Sequence, residues 1–302
     1  MRTLVTGGAG FIGSNLVDAL LEAGHRVTVV DDLSTGKEVN LAAALERGAT
    51  FHRADVADPD RMKGIFAAAS PEAVFHLAAQ IDVRKSVADP VFDARINVGG
   101  TASVLEAARE SGARRVLMSS TGGAMYGDAD VIPTPESVRP TPMAQYGTSK
   151  LAGEEYLALY HRLYGLSTIA LRLGNVYGPR QDPKGEAGVI AIYCGRARDG
   201  GKATVFGDGR QTRDYVYVGD VVRAFLLAAA HHATGPHNVG TGRETTVLEL
   251  ASALDLEPDF RPARVGEVQR SALDVSLTES ALGFRAETDI EAGLRLTLAS
   301  GG

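Results

Sequence analysis

The run Gly7-Gly8-Ala9-Gly10-Phe11-Ile12-Gly13 constrains the fold of this chain more than any other stretch. It stands between the β-rich segment Arg2-Thr3-Leu4-Val5-Thr6 and a segment in which Leu16, Ala19 and Leu20 recur at helical spacing. Strand, glycine turn and helix in that order are the setting in which such glycines hold a dinucleotide. Gly7 is placed for a tight turn, Gly10 for approach of the backbone to a pyrophosphate, and Gly13 for packing of helix on strand. The first helical amides then meet the anion with the positive end of the helix dipole.

The next apolar run, Arg26-Val27-Thr28-Val29-Val30, ends in Asp31-Asp32. An acid about 20 residues beyond the glycines accepts ribose hydroxyls and repels a 2′-phosphate, so Asp31 predicts NAD rather than NADP. The alternation continues. Thr50 to Ala54 leads to Asp55, Ala73 to Leu77 leads to Ala78, and Asn97 opens a helix reaching about Glu110. Arg115 to Met118 then leads to Ser119-Ser120-Thr121, and Ser167 to Arg172 forms a further strand. This rhythm predicts an α/β fold, a Rossmann-type doubly wound parallel sheet. Ligands of such sheets lie outside the carboxyl ends of the strands. Gly7, Asp31, Asp55, Ala78 and Ser120 are therefore expected on one rim. Asp55 there is either an acceptor for an adenine amino group or the N-cap of the helix before Asp58-Pro59.

From about Gly174 loops lengthen. Residues 172–213 hold eight Lys/Arg against four Asp/Glu, a local excess suited to an anionic ligand in a chain of formal charge −6. We expect residues 1–173 to form the NAD-binding domain and 174–302 mainly a smaller, interleaved substrate domain. A segment near 214–240 should return to the first, because Asp220 to Leu227 reads as a helix. The net negative charge argues against nucleic acid. The single cysteine, Cys194, precludes an internal disulfide and provides no zinc cluster, so no metal is expected. No stretch approaches the ~18 apolar residues of a membrane span, and no secretory signal opens the chain, which predicts a cytoplasmic protein.

Tyr146 and Lys150 lie four residues apart, on one face of a predicted helix extending toward Tyr164. Half-ionising a tyrosine at pH 7 means lowering its pKa by about 3 units, or ~4 kcal/mol. One cation ~6 Å away at an effective dielectric near 20 supplies ~2.8 kcal/mol. Lys150 and a nicotinamide cation together would suffice. Without the glycine motif the pair would read as an ordinary surface contact.

Thr6 through Gly13, Ser119-Ser120-Thr121 and Tyr146-x-x-x-Lys150 together resemble the extended short-chain dehydrogenase/reductases of the NAD-dependent nucleotide-sugar epimerase type, most of all the UDP-glucose (UDP-galactose) 4-epimerases. The resemblance runs through Asp31-Asp32-Leu33-Ser34-Thr35-Gly36, His76-Leu77-Ala78-Ala79-Gln80, Arg172 to Arg180 and Arg213 to Val218. Many members carry Asn where this chain has Asp32. The resemblance implies NAD held by Gly7, Gly10, Phe11, Ile12, Gly13, Asp31, Asp32, Leu33, Ser34, Thr35, Gly36, Asp55, Val56, Leu77, Ala78, Ala79, Gln80, Asn97, Ser119, Tyr146 and Lys150. It implies a UDP-sugar held by Thr121, Gly122, Asn175, Ala187, Gly188, Val189, Thr204, Val205, Phe206, Arg213, Arg264 and Glu267. The implied reaction is C4 epimerisation through a transient 4-keto sugar, with Tyr146 as base, Lys150 beside it, and Thr121 or Ser120 as the hydroxyl partner. Gly122-Gly123 stands where related dehydratases carry carboxylates, which favours simple epimerisation and leaves room in the site.

UDP-glucose/galactose is the first substrate expectation. Ser271 is small enough for an N-acetyl neighbour, and Arg180 or Arg270 meeting a sugar carboxylate would indicate UDP-glucuronate. A catalytically silent NAD-binding regulator would lack the tyrosine, the lysine or the hydroxyl. A net reductase would release its cofactor at each turnover. The resemblance also implies a homodimer paired through the helix after Asn97 and the Tyr146 helix.

Overall fold

The computed structural model describes residues 1–183, 188–264 and 268–300. Strands β1 (Arg2–Thr6), β2 (Arg26–Asp31), β3 (Thr50–Arg53), β4 (Ala73–His76), β5 (Arg115–Thr121) and β6 (Ser167–Leu173) form one parallel sheet. They alternate with α1 (Phe11–Glu22), α2 (Ala42–Glu46), α3 (Pro59–Ala69), α4 (Val83–Ala88), α5 (Pro90–Ala94), α6 (Gly100–Glu110) and α7 (Gln145–Tyr164). Beyond them lie β7 (Asn175–Tyr177), α8 (Val189–Asp199), β8 (Ala203–Phe206), β9 (Thr212–Arg213), β10 (Tyr215–Tyr217), α9 (Val218–Ala230) and β11 (Gly235–Val239). β12 (Thr245–Thr246), α10 (Val247–Ala253), β13 (Pro258–Arg261), α11 (Ser276–Leu282) and α12 (Ile290–Ala299) complete the chain.

The sheet order is β11-β6-β5-β4-β1-β2-β3. The order reverses between β1 and β4, so the crevice for a ligand opens at their carboxyl ends. Period-2 alternation sorts the core into two faces. Val5, Val29, Phe75 and Leu117 face one way with α1 and α9, while Leu4, Val30, Val74 and Val116 face the other with α3, α6 and α7. A separate core of Tyr177, Ile190, Tyr193, Val205, Leu250 and Leu294 supports the C-terminal elements, and buried Cys194 fills part of it. β11 extends the main sheet beside β6, after α9 has packed on α1. The helix expected from Asn97 begins differently: Arg95–Gly99 forms a π turn, and regular α-helix starts at Gly100.

Candidate functional site

The glycine turn lies at the crevice. Gly7 has φ +71°, and a Cβ there would stand 2.5 Å from the Ala78 amide nitrogen. A Cβ at Gly13 would stand 2.1 Å from the Gly7 carbonyl oxygen. Gly13 thus seats α1 on the turn itself, rather than on the strand as the sequence suggested. Gly10 precedes the first helical residues, Phe11 and Ile12, whose side chains are half-buried against the core. Asp31, 7 % exposed, accepts from Ala9 N–H (2.9 Å) and Leu33 N–H (2.8 Å), and burial pushes its carboxyl above the usual range. Each oxygen keeps a lone pair for a hydroxyl donor. Gly36 is required there, since its Cβ would lie 2.8 Å from Asp31 Oδ1. Exposed Asp32 accepts from Ser34 N–H, and Ser34 and Thr35 are themselves exposed.

Asp55 accepts from Ala57 N–H and pairs with Arg95 (2.9 Å); the helix cap is Asp58, whose side chain accepts from Arg61 N–H. The N-cap alternative for Asp55 therefore falls. Val56 is buried beneath Gly100. Leu77, Ala78 and Ala79 leave β4 half-buried, and Gln80 is clamped by Asn97 through two bonds of 2.8 and 2.9 Å.

Tyr146 and Lys150 occupy the first turns of α7. Tyr146 N–H donates to Ser86 Oγ at 3.2 Å, and its ring is half-buried. Lys150 is 5 % exposed and donates to the Ser119 carbonyl at 2.9 Å. The protein alone does not lower the phenol's pKa. Burial, then the charge of Asp93, push Tyr146 up to about 12. Burial pulls Lys150 down to about 8, against Asp93 and Glu154. Desolvation and the Asp93 charge, neither visible in the sequence, set the direction for the phenol.

The strand pleat separates the two candidate hydroxyls. Ser120, 4 % exposed and expected on the rim, lies inside β5 and donates to Glu154 Oε1 at 2.6 Å. Thr121 faces the opposite way and accepts from Ala124 N–H at 3.1 Å, which leaves its proton to donate. Behind Ser120, Glu154 and Arg172 form a buried fork of 2.6, 3.0 and 3.2 Å, and Arg172 donates on to Tyr126 Oη. Beside Lys150, His76 Nδ1 accepts from Thr6, while His76 Nε2 donates to Thr101, whose own proton goes to the Asn97 carbonyl. Burial, then the Lys150 charge, hold this imidazole neutral with a pKa near 3.

On the substrate side, Asn175 Oδ1 lies 3.4 Å from where a Gly123 Cβ would be. Gly122 leaves no room: it is buried, and its Cβ would stand 2.6 Å from the Leu273 side chain. Gly123 is exposed. Gly188 caps α8, and Val189 opens it. Thr204 and Phe206 are half-buried on β8, whereas Val205 points into the core. The Arg264 guanidinium lies 3.8 Å from the centroid of the Phe206 ring, bringing together two residues expected to hold the UDP-sugar. Arg213 donates to the Thr212 carbonyl. Ala187 and Glu267 lie outside the described residues. Of the two arginines considered for a sugar carboxylate, Arg270 grips Glu244 at 2.6 and 2.9 Å, while Arg180 pairs with Asp18 at 2.6 Å through Nη2 and keeps Nη1 buried without a partner among the described residues. Sequence reasoning missed Asp93, Glu154 and the role of His76. His76 at least lay in a noted motif; the other two carry no local signal.

Among the described residues no group of His, Cys, Asp and Glu suits a metal ion, and no helix is long and apolar enough to cross a membrane.

Comparison with known proteins gives a consistent result. The profile of the NAD dependent epimerase/dehydratase family matches residues 3–240. A UDP-glucose 4-epimerase of Mycolicibacterium smegmatis is 46% identical, over 99% of this chain and 97% of its own length. The crystal structure of a Thermotoga maritima UDP-glucose 4-epimerase with UDP-glucose matches at TM-score 0.95 and 47% identity, over 99% of this chain and 98% of that one. A Thermus thermophilus UDP-glucose 4-epimerase in complex with NAD matches at TM-score 0.91 and 42% identity, with 99% and 98% covered.

Proposed function

The chain belongs to the NAD dependent epimerase/dehydratase family, and from that premise we propose that it interconverts UDP-glucose and UDP-galactose by inverting C4 of the hexose. One observation carries the reading. A tyrosine, a lysine and a proton-donating threonine line the rim that holds the glycine turn, and the residues after Thr121 are glycines rather than carboxylates.

The residues present fit NAD. Gly7 and Gly13 keep side chains out of the cradle, α1 presents its first amides, and Asp31 offers acceptors to a ribose. Asp55, Gln80 and Lys150 stand farther along the same rim. When bound, NAD supplies a reversible acceptor for the hydrogen on C4, so that the carbon becomes planar and can be rebuilt with either configuration. Tyr146 takes the 4-hydroxyl proton and returns it. Thr121 donates a hydrogen bond to the same oxygen. Lys150 would place positive charge beside the phenol, and the charge NAD⁺ would bring when bound would act the same way, against the burial and Asp93 charge that hold Tyr146 protonated. Asn175, Arg213, Arg264 and Phe206 orient the UDP-sugar, the arginines through planar forks matched to a diphosphate. The commitment of Arg270 to Glu244 supports a neutral hexose over a uronate.

Two coarser features complete the proposal. α7 carries Tyr156, Leu159 and Leu163 exposed along one stripe, which supports a homodimer paired through this helix. The absence of a membrane-spanning helix among the described residues accords with a cytoplasmic site of action.

Purified protein incubated separately with UDP-glucose, UDP-N-acetylglucosamine and UDP-glucuronate, with and without added NAD, should give UDP-galactose from the first. A 4-epimer from the uronate alone would move the assignment to that sugar, and none from any would overturn it. Asp31→Ala removes the ribose acceptor, so NAD affinity should fall at least about tenfold, charge-assisted bonds contributing ~1.5–3 kcal/mol each. Nucleotide released from denatured protein measures this; unchanged content would remove Asp31 from the site.

A further inference from the structure

We propose that Asp93 is a positioning residue for the Tyr146–Lys150 pair, its buried carboxylate fixing the first turns of α7 and supplying the negative charge that balances Lys150. This rests on the epimerase reading. Asp93 is 0 % exposed on the short helix α5. Its Oδ1 accepts from Gln80 Nε2 and Asn97 Nδ2, both at 3.0 Å, and its Oδ2 accepts from Ser149 Oγ at 2.6 Å. Those donors come from three places: the exit of β4, the π turn and the residue before Lys150. The π turn carries the extra residue that aims Asn97 inward, a device frequent at functional sites.

All three donors are uncharged. An anion buried among neutral groups is costly unless a cation lies near. Lys150 is that cation, itself buried and bonded only to a carbonyl oxygen. The other charged groups around the pair do not substitute for Asp93. Glu154 on α7 also supports the Lys150 charge, but after Asp93 and while tied to Arg172, and His76 from β4 is held neutral. On α4, Arg84 and Lys85 are cations, and Lys85 lies over the Phe92 ring. The charge of Asp93 raises the pKa of both Tyr146 and Lys150, and even so Lys150 reaches only about 8. Without it, the pKa of both groups should fall.

Asp93→Asn preserves shape: its oxygen can accept from Gln80 and Asn97 while its amide donates to Ser149. Both limbs of the kcat–pH profile should then move to lower pH by about one unit, with KM for UDP-glucose unchanged within about twofold. Tyrosinate absorbance, differenced against Tyr146→Phe in the same background, should shift the same way without any turnover. Ser149→Ala keeps the charge; it should lower kcat and leave both limbs in place. If Asp93→Asn does not fold, Asp93→Ser carries the same two readouts. A lower kcat with unmoved limbs and an unmoved tyrosinate titration overturns the proposal. A wild-type protein without epimerase activity would instead sink the functional reading, and the tyrosinate titration would still decide Asp93.

Discussion

Tyr146→Phe should reduce kcat for UDP-glucose by about 10³-fold, within the ~10²–10⁴ range of a positioned general base. The ring and the backbone bond to Ser86 stay, so the fold should survive and KM should change little. The size of the effect follows from the site's energetics. The phenol begins near 12, so the protein spends burial on making Tyr146 a proton holder. Only added positive charge makes it a base, at about 1.36 kcal/mol per pKa unit. Removing the hydroxyl removes the one group able to exchange that proton. Steady-state rates with the thermal transition recorded in parallel test the point: full turnover in a folded Tyr146→Phe protein would refute the assignment.

Arg172→Met should be the most destabilising single change near the site. Arg172 and Glu154 have side chains only 4 % and 7 % exposed, joined by three hydrogen bonds. Methionine fills the volume but strips the buried Glu154 of its ion-pair partner, leaving Ser120 as its remaining donor and the Lys150 charge nearby. Losing one partner of such a pair costs ~3–5 kcal/mol. For a chain of this size that corresponds to a fall in Tm of roughly 5–8 °C. Replacing both residues together, Arg172→Met with Glu154→Leu, should recover much of the loss, because the cost comes from the stranded carboxylate. A thermal scan showing the single variant within about 2 °C of wild type would contradict this account of the β5–β6–α7 core.

Much of the fold was legible because its signals are local. The turn from Gly7 to Gly13, the acid ending β2 and the alternation of strand and helix are each written within a dozen residues. The doubly wound sheet follows from them. Residues meeting only in the folded chain were not legible. Glu154 and Arg172 lie 18 positions apart, Ser149 and Asp93 56, and nothing periodic links either pair. The choice between Ser120 and Thr121 depended on which way the β5 pleat faces, and the added glycine after Thr121 had blurred that register. Gly122 looked like an opening and is a close contact with Leu273. Arg180 and Arg270 looked available because their carboxylate partners are remote in sequence, 162 and 26 residues away. The direction of Tyr146's shift was missed for the same reason: desolvation and Asp93 arise only on folding.

The chain crosses to the small C-terminal unit and then sends β11 back to lie beside β6. A fragment ending at Leu173 would present the β6 edge bare, with five residues of unpaired main chain from Ile169 to Leu173 inviting another molecule. Residues 1–173 alone would therefore lack the strand that covers this edge.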